Sequence, residues 1–196
     1  MIVALWIAVI ALWVLFFGVA LAMLALYRHF GQMYMTTPQQ KIAQGPALGS
    51  ALPSLALVDV GGRAIQLPAS KPTAIYFTST TCTFCIEVRE ALADPPPVTA
   101  GVDLIVLCAG PRADVEAWAS RCDEKVHVVW DRKEALIDRF DVNGTPYAIA
   151  VGVEGRVHAK SIIGGADGVA WAAEQAKSLA VLPADVTDRK DERILQ

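Results

Sequence analysis

Apolar and polar positions fall in blocks along this chain, and each block predicts one element. The first block is the longest: Met1 to Tyr27 carries no charged side chain and no histidine. As a helix it would span about 40 Å, enough to cross a bilayer with some tilt. A cleavable signal peptide would instead need a basic start, a shorter apolar core and a small-x-small cleavage site. No Lys or Arg precedes Arg28, and Leu26-Tyr27-Arg28-His29-Phe30 offers no such site. An uncleaved transmembrane anchor over residues 1–29 is therefore predicted. Trp6, Trp13, Phe16, Phe17 and Tyr27 then belong to lipid or the interface rather than to a cofactor box. Residues 30–47 read as a linker, because Gly31, Thr36-Thr37-Pro38 and Gly45-Pro46 break any regular pattern.

Short apolar runs and helical periods then alternate. Leu55–Asp59 and Ala64–Leu67 predict two strands around Gly61-Gly62, a hairpin signal. The β-branched and aromatic run Thr73–Thr78 predicts a buried strand, and Ile86–Leu92 a helix that stops at Pro95-Pro96-Pro97. Strands follow at Asp103–Cys108 and Val126–Trp130, with helices at Arg112–Arg121 and Glu134–Phe140. A hairpin, Tyr147–Gly152 with Arg156–Ser161, precedes a last helix over Ala166–Val181. This order predicts one α/β domain over residues 48–182, a mixed central sheet flanked by helices. Residues 183–196 read as a charged, disordered tail.

Composition changes this picture little. The 54% apolar content is inflated by the amino-terminal block. A net charge of −3 with no basic cluster argues against a nucleic-acid partner.

The chemistry sits at Cys82-Thr83-Phe84-Cys85, between the buried strand and the helix. Two thiols at this spacing can make and break a disulfide. Free backbone N–H groups and the positive end of the helix dipole favour a thiolate at Cys82. A zinc site would need further ligands, and the chain has no second C-x-x-C and no H-x-x-x-H. A structural disulfide closing so short a loop would constrain the unfolded chain very little. Neither a metal nor an organic cofactor is called for. Cys108 reads as a small core residue, and Cys122 as a surface thiol that could pair with it. His29, His127 and His158 show no partner pattern, Asp59 supports the hairpin turn, and Asp131 caps a helix.

Gly144-Thr145-Pro146, at the mouth of a strand, is a place where a cis X–Pro bond can sit, although most X–Pro bonds are trans. This motif, the C-x-x-C and the strand order together resemble the thioredoxin fold. Within that superfamily the chain is similar to the membrane-tethered TlpA-like group, and especially to the methylamine-utilisation accessory proteins of the MauD type. The motifs carrying the likeness are Gly49-Ser50-Ala51-Leu52-Pro53, Asp59-Val60-Gly61-Gly62-Arg63, Thr81 to Cys85, Phe140 to Pro146, and Gly152 to Val157.

The resemblance implies a cis peptide at Pro146 and a Thr145 backbone that pairs with an extended substrate strand. Cys82 then reads as the exchanging sulfur, Cys85, one turn further in, as the resolving one, and Phe84 as apolar contact surface beside it. The resemblance also implies partners: a protein substrate carrying cysteines, a membrane or thiol electron-exchange partner, and the bilayer. Arg28 and Lys41, taken alone, would place the carboxy-terminal domain in the cytoplasm. The resemblance implies the opposite, a single-pass inner-membrane protein with its domain outside.

Three departures set the chain apart from its relatives. Thr83-Phe84 replaces the usual Pro-containing pair, Tyr76 stands where thioredoxins bury an Asp, and Val88 stands where cytochrome c maturation reductases carry Glu. Glu87 is turned to another helix face. The expected activity is oxidative, assisting disulfide formation or maturation of an exported partner. The alternatives are a TlpA-like reductase, a thiol peroxidase, and a tethered chaperone without redox turnover. For a peroxidase, Ser79 fits the hydroxyl position but Ile75 stands where a Pro belongs.

Overall fold

The computed structural model describes residues 6, 7, 9–21, 23 and 44–178 of the chain. These form two units, an amino-terminal helical segment and a globular unit. In the first, residues 9–21 are helical and Trp13 packs against Phe16 and Phe17, with ring centroids 6.0 and 5.7 Å away. Among the described residues no helix is long and apolar enough to cross a membrane. The span predicted over 1–29 lies partly outside the described residues, as do residues 30–43 of the linker and the tail from 183.

In the globular unit a hairpin of β1 (Leu55–Val58) and β2 (Ala64–Leu67) precedes β3 (Thr73–Ser79) and α1 (Cys85–Ala93). There follow β4 (Asp103–Ala109), α2 (Arg112–Ala119), β5 (Val126–Asp131), α3 (Ala135–Arg139), β6 (Tyr147–Val151), β7 (Val157–Ile162) and α4 (Gly165–Lys177). The main sheet has five strands in the order β5-β4-β3-β6-β7. β3, β4 and β5 run parallel, while β6 and β7 are antiparallel to their neighbours. Within the globular unit every predicted strand and helix is present, the last helix ending at Lys177. A 3-10 turn over Pro97–Thr99, after the proline run, is additional.

β3 lies in the centre, covered on both faces, which is why Thr73 to Thr78 are all buried rather than alternating. Its even positions face one helical layer. Tyr76 packs there with Val88 and Leu92 of α1, Val115 of α2 and Val169 of α4. Its odd positions, Ile75 and Phe77, face Leu67 of the hairpin, Ile137 of α3, and Phe140. The period of two along β3 thus builds two cores at once.

Two carboxylates fix the edges of this arrangement. Asp131, buried, accepts the N–H groups of Leu136 (2.8 Å) and Ile137 (2.9 Å), so it satisfies the start of α3. Lys133 and Glu134 adopt left-handed φ values of 60° in the tight turn between them. Asp59, with a side chain 1% exposed, accepts from the Arg63 N–H (2.8 Å), Arg63 Nε (2.6 Å) and His127 Nδ1 (3.0 Å). Arg63 in turn donates to the carbonyls of Glu124 and Val126, which staples the hairpin to β5. Sequence had shown His127 without a partner; the fold supplies one across strands.

Burial alone would raise the Asp59 pKa, but the bonds from His127 and Arg63 outweigh it and hold the carboxyl below its usual range. Its stabilisation is therefore present above the unfolded value of about pH 4 and is lost as pH falls through the lower folded value. Asp59→Asn is expected to cost about 1–3 kcal/mol at pH 7. Melting curves should show the gap to wild type closing as pH falls below about pH 5; a gap that stays constant would sink this assignment.

Candidate active site

β3 ends at Ser79, at one end of the sheet, and the chain then turns before α1. Cys82 N–H donates to Ser79 O, Cys85 N–H to Cys82 O, and Ile86 N–H to Thr83 O, each at 3.2 Å. Helix α1 begins at Cys85, with Phe84 as its N-cap residue. Cys82 thus sits just ahead of the helix N-terminus, as the sequence suggests. The Cys82-to-Cys85 turn brings the two thiols together and points the Cys82 side outward.

Their surroundings differ. Cys82 is half-buried, whereas Cys85 is 1% exposed beneath the helix. Burial pushes the Cys85 thiol up to about 12; the adjacent Cys82 sulfur adds to the rise, and contacts with Ser79 and Thr145 oppose it. Phe84, between them in sequence, is 72% exposed and forms an apolar lip with the partly exposed Ile86.

From the other side of the site comes the loop before β6. The Thr145–Pro146 peptide is cis, and the Cys82 thiol donates to the Thr145 carbonyl at 3.4 Å. Pro146 is buried, and its carbonyl accepts the Ile163 N–H (3.3 Å) from the β7–α4 junction. Every site residue expected from sequence is therefore brought to one end of the sheet. A second cis peptide, Leu67–Pro68, lies at the end of β2, away from the thiols, and nothing in the sequence marked it.

A groove of about 370 Å³ opens beside Cys82, lined among others by Ser79, Thr81, Glu134, Asp138, Asn143 and Thr145. Glu134 and Asp138 were not singled out in sequence, because only the fold of α3 carries them there.

The neighbouring positions explain the missing proton acceptor. Tyr76 is fully buried, burial raises its pKa above the ordinary phenol value, and its hydroxyl donates to Val169 O (3.2 Å). Val88 is buried in the core and Glu87 is exposed. The other two cysteines stand apart. Cys108 is fully buried in β4 and Cys122 half-buried after α2, and all four cysteines are free thiols. The Cys108–Cys122 pairing considered from sequence is not formed. Among the described residues no group of three or more His, Cys, Asp or Glu side chains is placed to hold a metal ion.

No protein-family model matches the chain. The chain is 25% identical over 161 residues to the methylamine utilization protein MauD of Paracoccus versutus, covering 78% of this chain and 79% of that protein. It is 28% identical over 104 residues to a thioredoxin-like protein of Haemophilus influenzae, covering 52% of this chain and 62% of that one. Among solved structures, the thio-disulfide isomerase of Thermus thermophilus superposes with a TM-score of 0.55 at 26% identity, over 68% of this chain and 99% of that one. The chain belongs to the thioredoxin-like superfamily. As a thioredoxin-like protein with MauD-like features, it is a thiol–disulfide oxidoreductase. The thioredoxin-like frame also accounts for the cis-proline loop lying opposite a strand-to-helix C-x-x-C.

Proposed function

We propose that this chain is a membrane-anchored oxidoreductase that exchanges disulfides with exported proteins from the outer side of the cytoplasmic membrane. The proposed direction is oxidative, assisting disulfide formation or maturation in a partner enzyme. One observation carries the site assignment: the accessible Cys82 sulfur faces the Thr145 carbonyl beside cis-Pro146, with Cys85 buried behind it. The charge-free block Met1 to Tyr27 supports the anchor, and the likeness to MauD supports the oxidative direction.

In the oxidative direction a partner thiolate attacks the Cys82–Cys85 disulfide at Cys82, which joins the partner, and Cys85 leaves as a thiolate that takes a proton. A second partner thiolate then attacks the partner sulfur of the mixed disulfide and expels Cys82. The partner gains a disulfide and loses two electrons, which stay on the Cys82–Cys85 dithiol until the electron-exchange partner removes them. Reduction of a partner runs the same steps backwards, with Cys85 attacking Cys82 to resolve the mixed species. Phe84 provides apolar contact beside the sulfur, while the Thr145 backbone and Pro146 receive the partner segment as an added strand.

The test is a trap. Cys85→Ala, quenched with acid and alkylated, should hold Cys82 in a mixed disulfide whose partner is then identified. An impermeant thiol reagent added to intact cells should label the domain if it stands outside. Labelling only after lysis would overturn the orientation. A two-electron potential near about −270 mV would assign the reductive direction instead.

The resolving step carries a pH signature. Because the Cys85 thiol is pushed up to about 12, little of it is ionised at pH 7. Resolution of a mixed disulfide on Cys82 should speed up by roughly tenfold per pH unit over pH 7–9. A pH-independent rate in stopped-flow quench would contradict Cys85 as the resolving group.

A further inference from the structure

The segment where the chain enters the globular unit is part of the substrate loop's support. Gln44, expected from sequence to be linker, is 9% exposed and lies against the loop that carries Thr145 and Pro146. Its carbonyl accepts from the Tyr147 hydroxyl (3.0 Å) and from Lys160 Nζ (2.8 Å). Lys160 Nζ also reaches the Gly45 carbonyl at 3.1 Å. Gly45 N–H donates to Asp141 O at 2.7 Å, and Asn143 N–H makes a long contact of 3.4 Å with Gln44 Oε1.

These bonds bracket the site. Asp141 and Asn143 lie before Thr145, Tyr147 directly after Pro146, and Lys160 comes from the adjacent strand β7. Asp141 has a left-handed φ of 53°, a conformation that persists when its surroundings hold it. Gly45 is left-handed too, with φ +75°, and a Cβ there would stand 3.2 Å from Tyr147 Oη. A glycine is needed for the backbone to lie this close.

We propose that the Gln44–Gly45 segment, held by Tyr147 and Lys160, positions the cis-proline loop against Cys82 and thereby sets how well a protein segment docks there. Tyr147, Lys160 and Gly45 are positioning residues: none touches a reacting sulfur, and each acts through Thr145. The physical logic is that a strand added at Thr145 needs a fixed backbone to bond to. A small disulfide needs only the Cys82 sulfur.

The inference rests on the disulfide-exchange reading, so the test compares two probes on the full-length, detergent-solubilised protein. The probes are insulin, a protein disulfide, and hydroxyethyl disulfide, a small one. Lys160→Met and Tyr147→Phe remove donors while nearly preserving volume, so at least one is expected to fold. For both variants KM for insulin should rise roughly five- to tenfold with kcat within about twofold, the loss of one or two hydrogen bonds. Rates with hydroxyethyl disulfide should stay unchanged, and Lys160→Arg should restore KM for insulin. Parallel falls with both probes, as general destabilisation would give, overturn the proposal, as does an unchanged KM for insulin. Cys82→Ser, run alongside, must lose both rates; if it keeps them, the exchange reading fails irrespective of the Lys160 result.

Discussion

Cys82→Ser is expected to reduce disulfide exchange to background, a loss of roughly a thousandfold or more, because the attacked and attacking atom is gone. No other thiol can substitute. Cys108 is fully buried, and burial pushes it up to about 11. Cys122 is half-buried, raised to about 12 chiefly by burial, and its thiol contacts the Trp118 carbonyl. The variant should fold normally, since Cys82 is half-exposed and its hydroxyl replacement can still donate to the Thr145 carbonyl. Turnover of insulin disulfides and the melting temperature measured together check both halves of the statement. Unchanged complementation by a Cys82→Ser, Cys85→Ser double variant would instead favour the non-redox chaperone alternative.

The largest stability effect is expected at Phe77, and it is also felt at the site. Phe77 is fully buried in β3 and packs edge-on against Phe140, with centroids 5.4 Å apart and planes at 65°. Tyr147, the first residue of β6, lies 6.3 Å away by centroid on the same face. Phe77→Ala removes both aromatic contacts and leaves a cavity beneath the cis-proline loop. The expected cost is about 3–5 kcal/mol. Against a total stability of about 5–15 kcal/mol for such a domain, that is a large share. Urea unfolding measures it directly; a loss under about 1 kcal/mol would show that the layer between sheet and α3 does not pack as described. Phe77→Leu, which keeps most of the volume, should cost much less.

Much of the site was legible because its signals are local. The strand Thr73–Thr78, the C-x-x-C and the helix after it are contiguous, so periodicity and spacing were enough to place Cys82 and Cys85. Pro146 could be paired with them only through the resemblance, since nothing local favours a cis bond there. The buried Tyr76 and Val88 show why the proton-handling carboxylates of relatives have no counterpart here: the sheet and α1 present apolar or hydroxyl groups at those positions. His127, His158 and Gln44 gave no signal, because their partners lie on other elements. His158 pairs with Glu154 in the β6–β7 turn and contacts the Gln175 carbonyl of α4.

Sequence alone determined the strand and helix order, the thiol pair and its redox character, because hydrophobic period and residue spacing act over a few neighbouring residues. Only the tertiary structure decided which thiol is accessible, that Thr145 meets Cys82, and that Gln44 and Lys160 brace the loop. Those outcomes depend on burial and on hydrogen bonds between residues far apart in the chain, whose geometry exists only once the sheet has assembled.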